Sequence, residues 1–590
     1  MAVTVEPADL AGARRHPFRF IDGGTAVFAI IAWVAAGFIL VLMGLIVWMS
    51  FVPGLPGDPG FTLANYGDLF GQRTLYKAFG NSAVIGAGTI AINLIFAVPI
   101  AWLVERTDMP AKPLIVTLIA VSVLIPGFLK AMAWILLMSP QIGMVNRLAI
   151  DAFGAAGPPF NIYGLGGVVL VQGLTFTPEM FFLISGSMKS LDPSLEEAAQ
   201  AAGASRLKTL LRVTVPLMRP AILAAVIYNL VAAVSLYEVA ALLLGGRIPV
   251  LSTELFLNVR SAGGSINLAY AAVYAVLMMG LGLIALWLYG RVLKRGDQFA
   301  VVSGKAYRPA LVPLGRWKWA GLAYVGLFLF LTEFLPLLTL LWMSLLRSLE
   351  LPSFHMLSAI RFDQYVRVWT TVGGWPVLSN TILLTVSTAI LATGVSLAIS
   401  MIAVRSKLRG RGVLDMIAMM PHVVPGIAFA FALLVFGILL NRFLHIPLYG
   451  SVGIILLGVL VERIPYCTRI TNAALLQLHK EIDEAAAICG ATRLATLGRI
   501  IAPLIAPSLA YAAIWVALLS LREVTIPLLL SGPSNTVVSV RVWTLWETGQ
   551  YGAASAIGVS MFAIMAVLLL IARYAFQAGG WLRRAPDPAS

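Results

Sequence analysis

Few residues in this 590-residue chain could do chemistry, because only 11% of them are charged and 60% are hydrophobic. Each ionisable side chain inside an apolar run therefore stands out. Leu236-Tyr-Glu238-Val239 and Leu521-Arg-Glu523-Val524 put Glu238 and Glu523 at matching places in two such runs. Lys130, Glu179, Glu462, Arg463, Arg469 and Arg522 lie in or near others. A charge held in hydrocarbon is costly and tends to mark a polar path or a relay. Two readings of Glu238 and Glu523 stay open. They face a translocation path or its gate, or they sit near outer helix ends, paired with neighbours such as Arg522 or solvated. Covalent and metal chemistry find no residues. None of the five histidines is paired at helical spacing, and His422 and His445 fall near the ends of apolar runs. No His/Cys/Asp/Glu group has metal-ligand spacing. A phosphate loop is missing too: Ser303-Gly304-Lys305-Ala306 lacks the spaced first glycine and the hydroxyl. The sequence thus offers no catalytic constellation and no metal site. If ATP drives this protein, hydrolysis belongs to another polypeptide.

The second chemical feature is a polar, basic stretch that occurs twice. Leu195–Pro216 reads LEEAAQAAGASRLKTLLRVTVP, and Ile482–Pro503 reads IDEAAAICGATRLATLGRIIAP. The copies lie 287 residues apart without a gap, and 11 of 22 positions are identical. Each reads as two short helices around a sharp turn. Asp192 caps a first helix that opens on Pro193, with Glu196 and Glu197 in the first turn, where the helix dipole favours acids. Gly203 and Gly490 end these helices, where a left-handed residue is cheap only for glycine. Ser205 and Thr492 cap the following helices, and Pro216 closes the first of them. The expected product is a rigid charged knob suited to docking in a groove on a partner.

The elements that must carry these residues are membrane spans. Hydropathy places twelve, at 26–51, 82–104, 114–138, 165–187, 220–245, 267–290, 319–346, 379–403, 413–440, 450–475, 505–530 and 553–575. Pro126 interrupts the third, and Pro421 and Pro425 sit in the ninth. The first apolar run is too long for a cleaved signal and reads as a span. Gly280-Leu-Gly282 reads as close helix packing. The +15 net charge is explained by basic cytosolic loops rather than by nucleic acid. Arg14, Arg15, Arg19, Arg106, Lys112, Lys189 through Arg219, Arg291 through Lys318, Arg405 through Arg411, Lys480 through Arg499, Arg583 and Arg584 all fall on one side. Arg73, Lys77, Arg147, Arg260, Arg442 and Arg541 fall on the other. That bias puts both termini and both knobs in the cytosol. Cys467 in a span and Cys489 in the cytosol exclude a structural disulfide.

The repeat extends to whole halves. Asn81-Ser82 matches Asn380-Thr381, and Tyr163-Gly164 matches Tyr449-Gly450. The offset drifts from 299 to 287 to 285, which calls for insertions in outer loops. The fold class is an all-α polytopic membrane protein of two tandem six-helix halves, a parallel duplication. The expected parts are a cytosolic segment at 1–25, a first half at 26–292 with its loop at 188–219, and a linker at 293–318. A second half follows at 319–576 with its loop at 477–504, then a tail at 577–590.

The spacing Glu-Ala-Ala-x3-Gly, followed by a hydrophobic-Pro ending, is similar to the EAA loop of permease subunits in binding-protein-dependent ABC importers. Val215-Pro216 and Ala502-Pro503 stand where that family usually has Leu-Pro. The resemblance runs from the first span to the last. It implies a type I importer fold and a bacterial inner membrane. It also implies that each loop is a coupling helix seated in one of two ATPase subunits. Glu197, Ala198, Ala199 and Gly203, and Glu484, Ala485, Ala486 and Gly490, become the docking positions, with Arg206 and Arg493 as salt-bridge candidates. A periplasmic binding protein would deliver the substrate. This chain would bind no cofactor, ATP and magnesium being used by the partner ATPase. A chain carrying both halves most resembles ferric-iron(III) permeases; thiamine, polyamine and phosphonate systems are related. A proton-coupled secondary transporter of twelve spans is the alternative class. Its Gly- and Arg-rich loop between spans two and three is not matched by Glu105 through Lys112.

Overall fold

The computed structural model describes residues 23–191, 194–260, 266–296, 311–346, 350–351, 360–372, 374–479 and 481–578. Asp192, Pro193, linker residues 297–310 with Ser303 through Ala306, and the segments holding Arg14, Arg15, Arg19, Arg583 and Arg584 lie outside these residues.

The first half begins with α1 (Gly23–Met49), α2 (Arg73–Arg106), and a broken pair α3 (Lys112–Ser122) and α4 (Gly127–Met138). It continues with α5 (Leu165–Ser190), the short α6 (Ser194–Ala201), α7 (Arg219–Ser235), α8 (Glu238–Leu244) and α9 (Leu268–Gly296). The second half repeats the order. It has α10 (Trp317–Leu329) continuing as α11 (Leu335–Ser344), then α12 (Gly374–Ser400), and the broken pair α13 (Arg411–Met419) and α14 (Gly426–Leu444). After these come α15 (Val452–Leu476), the short α16 (Glu481–Ile488), α17 (Ala502–Leu521), α18 (Thr525–Leu530) and α19 (Tyr551–Ala578). Among the described residues nine helices are long and apolar enough to span a membrane, or eleven if two bent pairs each count as one. The tenth expected span is α15; Glu462, Arg463 and Arg469 make it less apolar, though its 25 residues are long enough. Helix Met144–Phe153 has no counterpart between α14 and α15, which locates the insertion behind the drifting offset.

Packing follows small residues. The buried stripe of α1 is Phe28, Ala32, Ala36, Ile39, Leu42, Ile46 and Met49, spaced three and four apart on one face. Ile30, Val34 and Val41 on the other face are exposed, as lipid-facing residues should be. That stripe lies mainly on α12 and α14 of the other half, and on α9 of its own. α11 lies mainly on α19 of its own half and also on α4 of the first. Each first span therefore reaches across to the other half, α1 more than α11. The closest pairing inside each half is α2 with α5 and α12 with α15. Glycine permits the first: a Cβ on Gly88 would meet Val169 at 2.7 Å, and one on Gly173 would meet Ile92 at 2.7 Å. Gly282 packs against the carbonyl of Val423 across the halves, as expected for a packing glycine.

The breaks fall where proline dictates. α3 and α4 meet at 92°, and Pro126 stands just before α4. Pro421 lies in a 3-10 turn after α13, and Pro425 stands just before α14. Spans five and eleven differ from the sequence expectation: both are broken, at Leu236–Tyr237 and at Arg522–Val524. Pro216 stands one residue before the end of its helix at Leu217, after which the axis turns by 62° into α7. Residues Leu210–Thr214 widen into a π-helical turn, and α-helical residues Val215–Leu217 follow. Leu497–Ile501 does the same before Pro503. A proline has no N–H for the carbonyl four residues back and crowds it, and a wider turn relieves both problems.

Candidate functional site

The two knobs sit at the same end of the bundle: Gly24 at the start of α1 packs against Leu494 and Arg493 of the second, and Arg106, at the end of α2, which runs back along the bundle from where α1 finishes, reaches Glu196 of the first. α6 ends at Gly203, with φ of 84°, and Ala204 N–H donates to Ala199 O at 3.0 Å. α16 ends at Gly490, with φ of 75°, and Ala491 N–H donates to Ala486 O at 3.0 Å. These six-residue bonds define the glycine-terminated helix stop, so the third motif residue, Ala199 or Ala486, supplies its acceptor. A Cβ at either glycine would meet nothing within 4 Å. Backbone conformation, and not space, selects glycine here. The next turns are capped as expected: Ser205 Oγ accepts Lys208 N–H at 3.4 Å, and Thr492 Oγ1 accepts Ala495 N–H at 3.3 Å.

The knob surfaces are open. Ala198, Gly203, Glu484, Ala485, Gly490 and Arg493 are exposed, Glu197 and Ala199 are half-buried, and Ala486 is buried. The side chain of Arg206 lies outside the described residues. Ile488 is 87% exposed at the tip of the second knob, beside exposed Cys489.

The intramembrane charges converge at the level of the helix breaks. Arg463 Nη2 lies 2.6 Å from Glu523 Oε2, and Arg463 Nη1 lies 3.4 Å from Glu462 Oε2. The other oxygen of Glu523 accepts the N–H groups of Thr525 at 3.1 Å and Ile526 at 3.4 Å. Glu523 thereby satisfies the donors that α18 would leave orphaned at its start. Thr525 Oγ1 donates to Glu238 Oε2 at 3.1 Å, so one residue joins the two matched glutamates across the halves. Arg522 donates to the carbonyl of Val123 and lies 3.9 Å from Glu179. Val123 borders the α3–α4 break, where a freed carbonyl in a span needs a partner from elsewhere in the protein. Lys130, 1% exposed, donates to Ser122 O at 3.2 Å and Ser122 Oγ at 3.3 Å, with Glu333 as its carboxylate neighbour. His422 stacks on Tyr228 at 4.8 Å, ring to ring, again between halves.

Glu238 and Glu523 thus lie at breaks in spans five and eleven, each with a further short helix beyond it. The sequence singled out Lys130, Glu179, Glu462, Arg463 and Arg522, and the structure brings them into this region. Arg469 stays apart, exposed, with Nε 3.0 Å from Met419 Sδ. Glu333 was missed; as a single acid in a long apolar run its only signal was its cost there. Thr525 and Tyr228 carried no signal. Among the described residues no three His, Cys, Asp or Glu side chains form a group that could hold a metal ion. At the opposite end, Asp58 lies 3.1 Å from Arg442 of the other half. The N–H of Leu55, and then Arg442, hold its carboxyl below the usual carboxylate range.

The family model described as binding-protein-dependent transport system inner membrane component matches residues 92–297 and 390–578, together more than half of the chain. The ferric transport system permease protein FbpB of Actinobacillus pleuropneumoniae is 25% identical over 525 residues, which cover 85% of this chain and 71% of that protein. The putative ferric transport system permease protein FbpB 1 of Haemophilus influenzae is 25% identical over 446 residues, covering 74% of this chain and 67% of that protein. The spermidine/putrescine transport system permease protein PotB of Escherichia coli is 27% identical over 240 residues, covering 40% of this chain and 85% of that protein. Two tandem family segments agree with the two helical halves and with the knob built into each. The chain belongs to the family of inner membrane components of binding-protein-dependent transport systems.

Proposed function

We propose that this chain is the membrane subunit of an ATP-driven importer for iron(III), with both knobs on the cytosolic face and each seated in one ATPase subunit. The observation that carries the reading is the pair of knobs at one end of the bundle, each ended by a left-handed glycine and each in its own half. Leu195, Leu211, Ile488 and Leu494, all exposed on the knobs, would be covered by a docked partner. ATP binding would draw the two ATPase subunits together and the knobs with them. The two halves are the bistable element, and loaded binding protein and ATP bias it. Glu238 and Glu523 lie where the halves meet and would gate the path.

The substrate rests on what the FbpB relatives are named for, at 25% identity. The similarity to a spermidine/putrescine permease keeps a polyamine as the second reading, also a cation. The test is uptake by proteoliposomes holding this chain, its ATPase and its binding protein. ATP-dependent accumulation of iron(III), with no accumulation of putrescine, supports the proposal. The reverse moves the assignment to polyamine. Uptake that follows a proton gradient without ATP would return the secondary-transporter class.

A further inference from the structure

Beneath each knob lies a buried arginine that the motif does not include. Arg106 is the last residue of α2, and Arg405 ends the π-helical continuation Met401–Arg405 of α12. They are 299 residues apart, the offset of Asn81 and Asn380 in the same spans. Both side chains are 4% exposed. Arg106 Nη2 donates to Met188 O at 3.0 Å and to Leu191 O at 3.1 Å, and its Nε lies 3.6 Å from Glu196 Oε1. Arg405 Nη2 donates to Leu475 O at 2.7 Å and to Leu478 O at 2.8 Å, and its Nη1 lies 2.7 Å from Asp483 Oδ2. Met188 and Leu475, Leu191 and Leu478, and Glu196 and Asp483 are each 287 apart, the register of the knobs themselves. The same three partners are therefore met in both halves, the carboxylate by a hydrogen bond in the second and by an ion pair at 3.6 Å in the first. Two are carbonyls at or just past the C-terminal ends of α5 and α15, where the helix supplies no N–H four residues on; Met188 O and Leu475 O otherwise accept short cap bonds from Leu191 and Leu478 N–H. The third is the carboxylate in the first turn of the knob helix, one residue before the motif glutamate.

We infer that Arg106 and Arg405 are positioning residues that tie each knob to the second span of its half, so that a displacement of the knob moves α2 or α12. This rests on the importer reading above. The physical need is plain: α6 and α16 are eight residues each, too short to hold their geometry alone. The peptide leading into each is one tether and the buried guanidinium is another, which turns a hinge into a fixed joint; at the first knob Thr214 Oγ1 also donates to Glu196 Oε1 at 2.8 Å, so the same carboxylate holds the knob's own π-helical turn. α2 and α12 are the natural receivers, since they pair most closely with α5 and α15 and also contact α7 and α17. The last two lead to Glu238 and Glu523. The first joint has an extra member. Val312 N–H donates to Arg106 O at 2.9 Å, and Leu314 N–H donates to Asp108 Oδ1 at 2.7 Å, just before α10. Movement of the first knob thus reaches the opening span of the second half as well.

The experiment uses two double variants of the full chain, with its ATPase and binding protein in proteoliposomes. Glu196→Gln with Asp483→Asn keeps shape and removes the charges. Glu196→Asp with Asp483→Glu keeps the charges. A nitroxide on exposed Cys489 reads knob mobility in the chain alone. The inference expects the neutral variant to retain ATPase and basal hydrolysis, to lose about tenfold in the stimulation by loaded binding protein, and to show a more mobile label. The charge-keeping variant should restore both readouts to within about twofold. Native stimulation with native label mobility in the neutral variant overturns the inference. So does a charge-keeping variant as impaired as the neutral one, because a purely structural role would not follow the charge. If the native chain retains no ATPase, the importer reading fails, and the label then decides alone: raised mobility in the neutral variant keeps the joint, and unchanged mobility overturns it.

Discussion

Thr525 donates its hydroxyl to Glu238 at 3.1 Å, from the second half to the first, and its own N–H reaches Glu523 at 3.1 Å. Thr525→Val keeps the shape and removes the donor. Losing one hydrogen bond should cost the present arrangement of the halves about 0.5–1.5 kcal/mol. The check is the distance distribution between spin labels on Cys489 and on an Ala202→Cys variant, one on each knob. It should broaden or shift in Thr525→Val. An unchanged distribution would mean that the bond does not hold the halves.

Arg522 crosses the same boundary to the carbonyl of Val123 and to Glu179. Arg522→Met leaves a carboxylate uncompensated and a carbonyl at a helix break without its partner. Removing one member of a buried pair costs about 3–5 kcal/mol, and water at this half-buried site should bring the loss toward the lower end. Thermal unfolding in detergent measures it. Adding Glu179→Gln should recover part of the loss, the coupling expected of residues that share a partner.

Glycine serves two different purposes here, and two substitutions separate them. Gly203→Ala and Gly490→Ala force a side chain into the left-handed region at about 1–2 kcal/mol each, with open space around them. ATPase retention should fall severalfold while helix content stays native. Gly173 has no such conformation, but its Cβ would meet Ile92 at 2.7 Å. Gly173→Ala should lower thermal stability by about 1–3 kcal/mol and leave ATPase retention in the surviving protein unchanged.

The sequence made the knobs, the spans and the proline breaks legible because each depends on local rules. Gly203 and Gly490 declare their left-handed turns, and Pro126 and Pro425 declare the bends next to them. Pro216 stands next to the end of its helix as expected, but the π-helical turns before Pro216 and Pro503 were hidden, since no residue type announces such a turn. The breaks at Leu236–Tyr237 and Arg522–Val524 have no proline or glycine to mark them. Arg106 and Arg405 looked like ordinary loop-end cations. Their partners are carbonyls some 70 to 85 residues away, and a carbonyl has no sequence signature. The exchange of first spans was equally hidden, because α1 is apolar on every face and α10 carries a charge only at Lys318 near its start.

The central claim is that the paired knobs seat an ATPase, and co-purification tests it most directly. The chain is tagged in its native host and extracted in mild detergent, alongside a variant carrying Glu197→Lys and Glu484→Lys. The account predicts an ATPase retained by the native chain and lost from the variant, with both chains equally abundant and folded. Retention of the same ATPase by the variant, or its absence from the native chain, would contradict it.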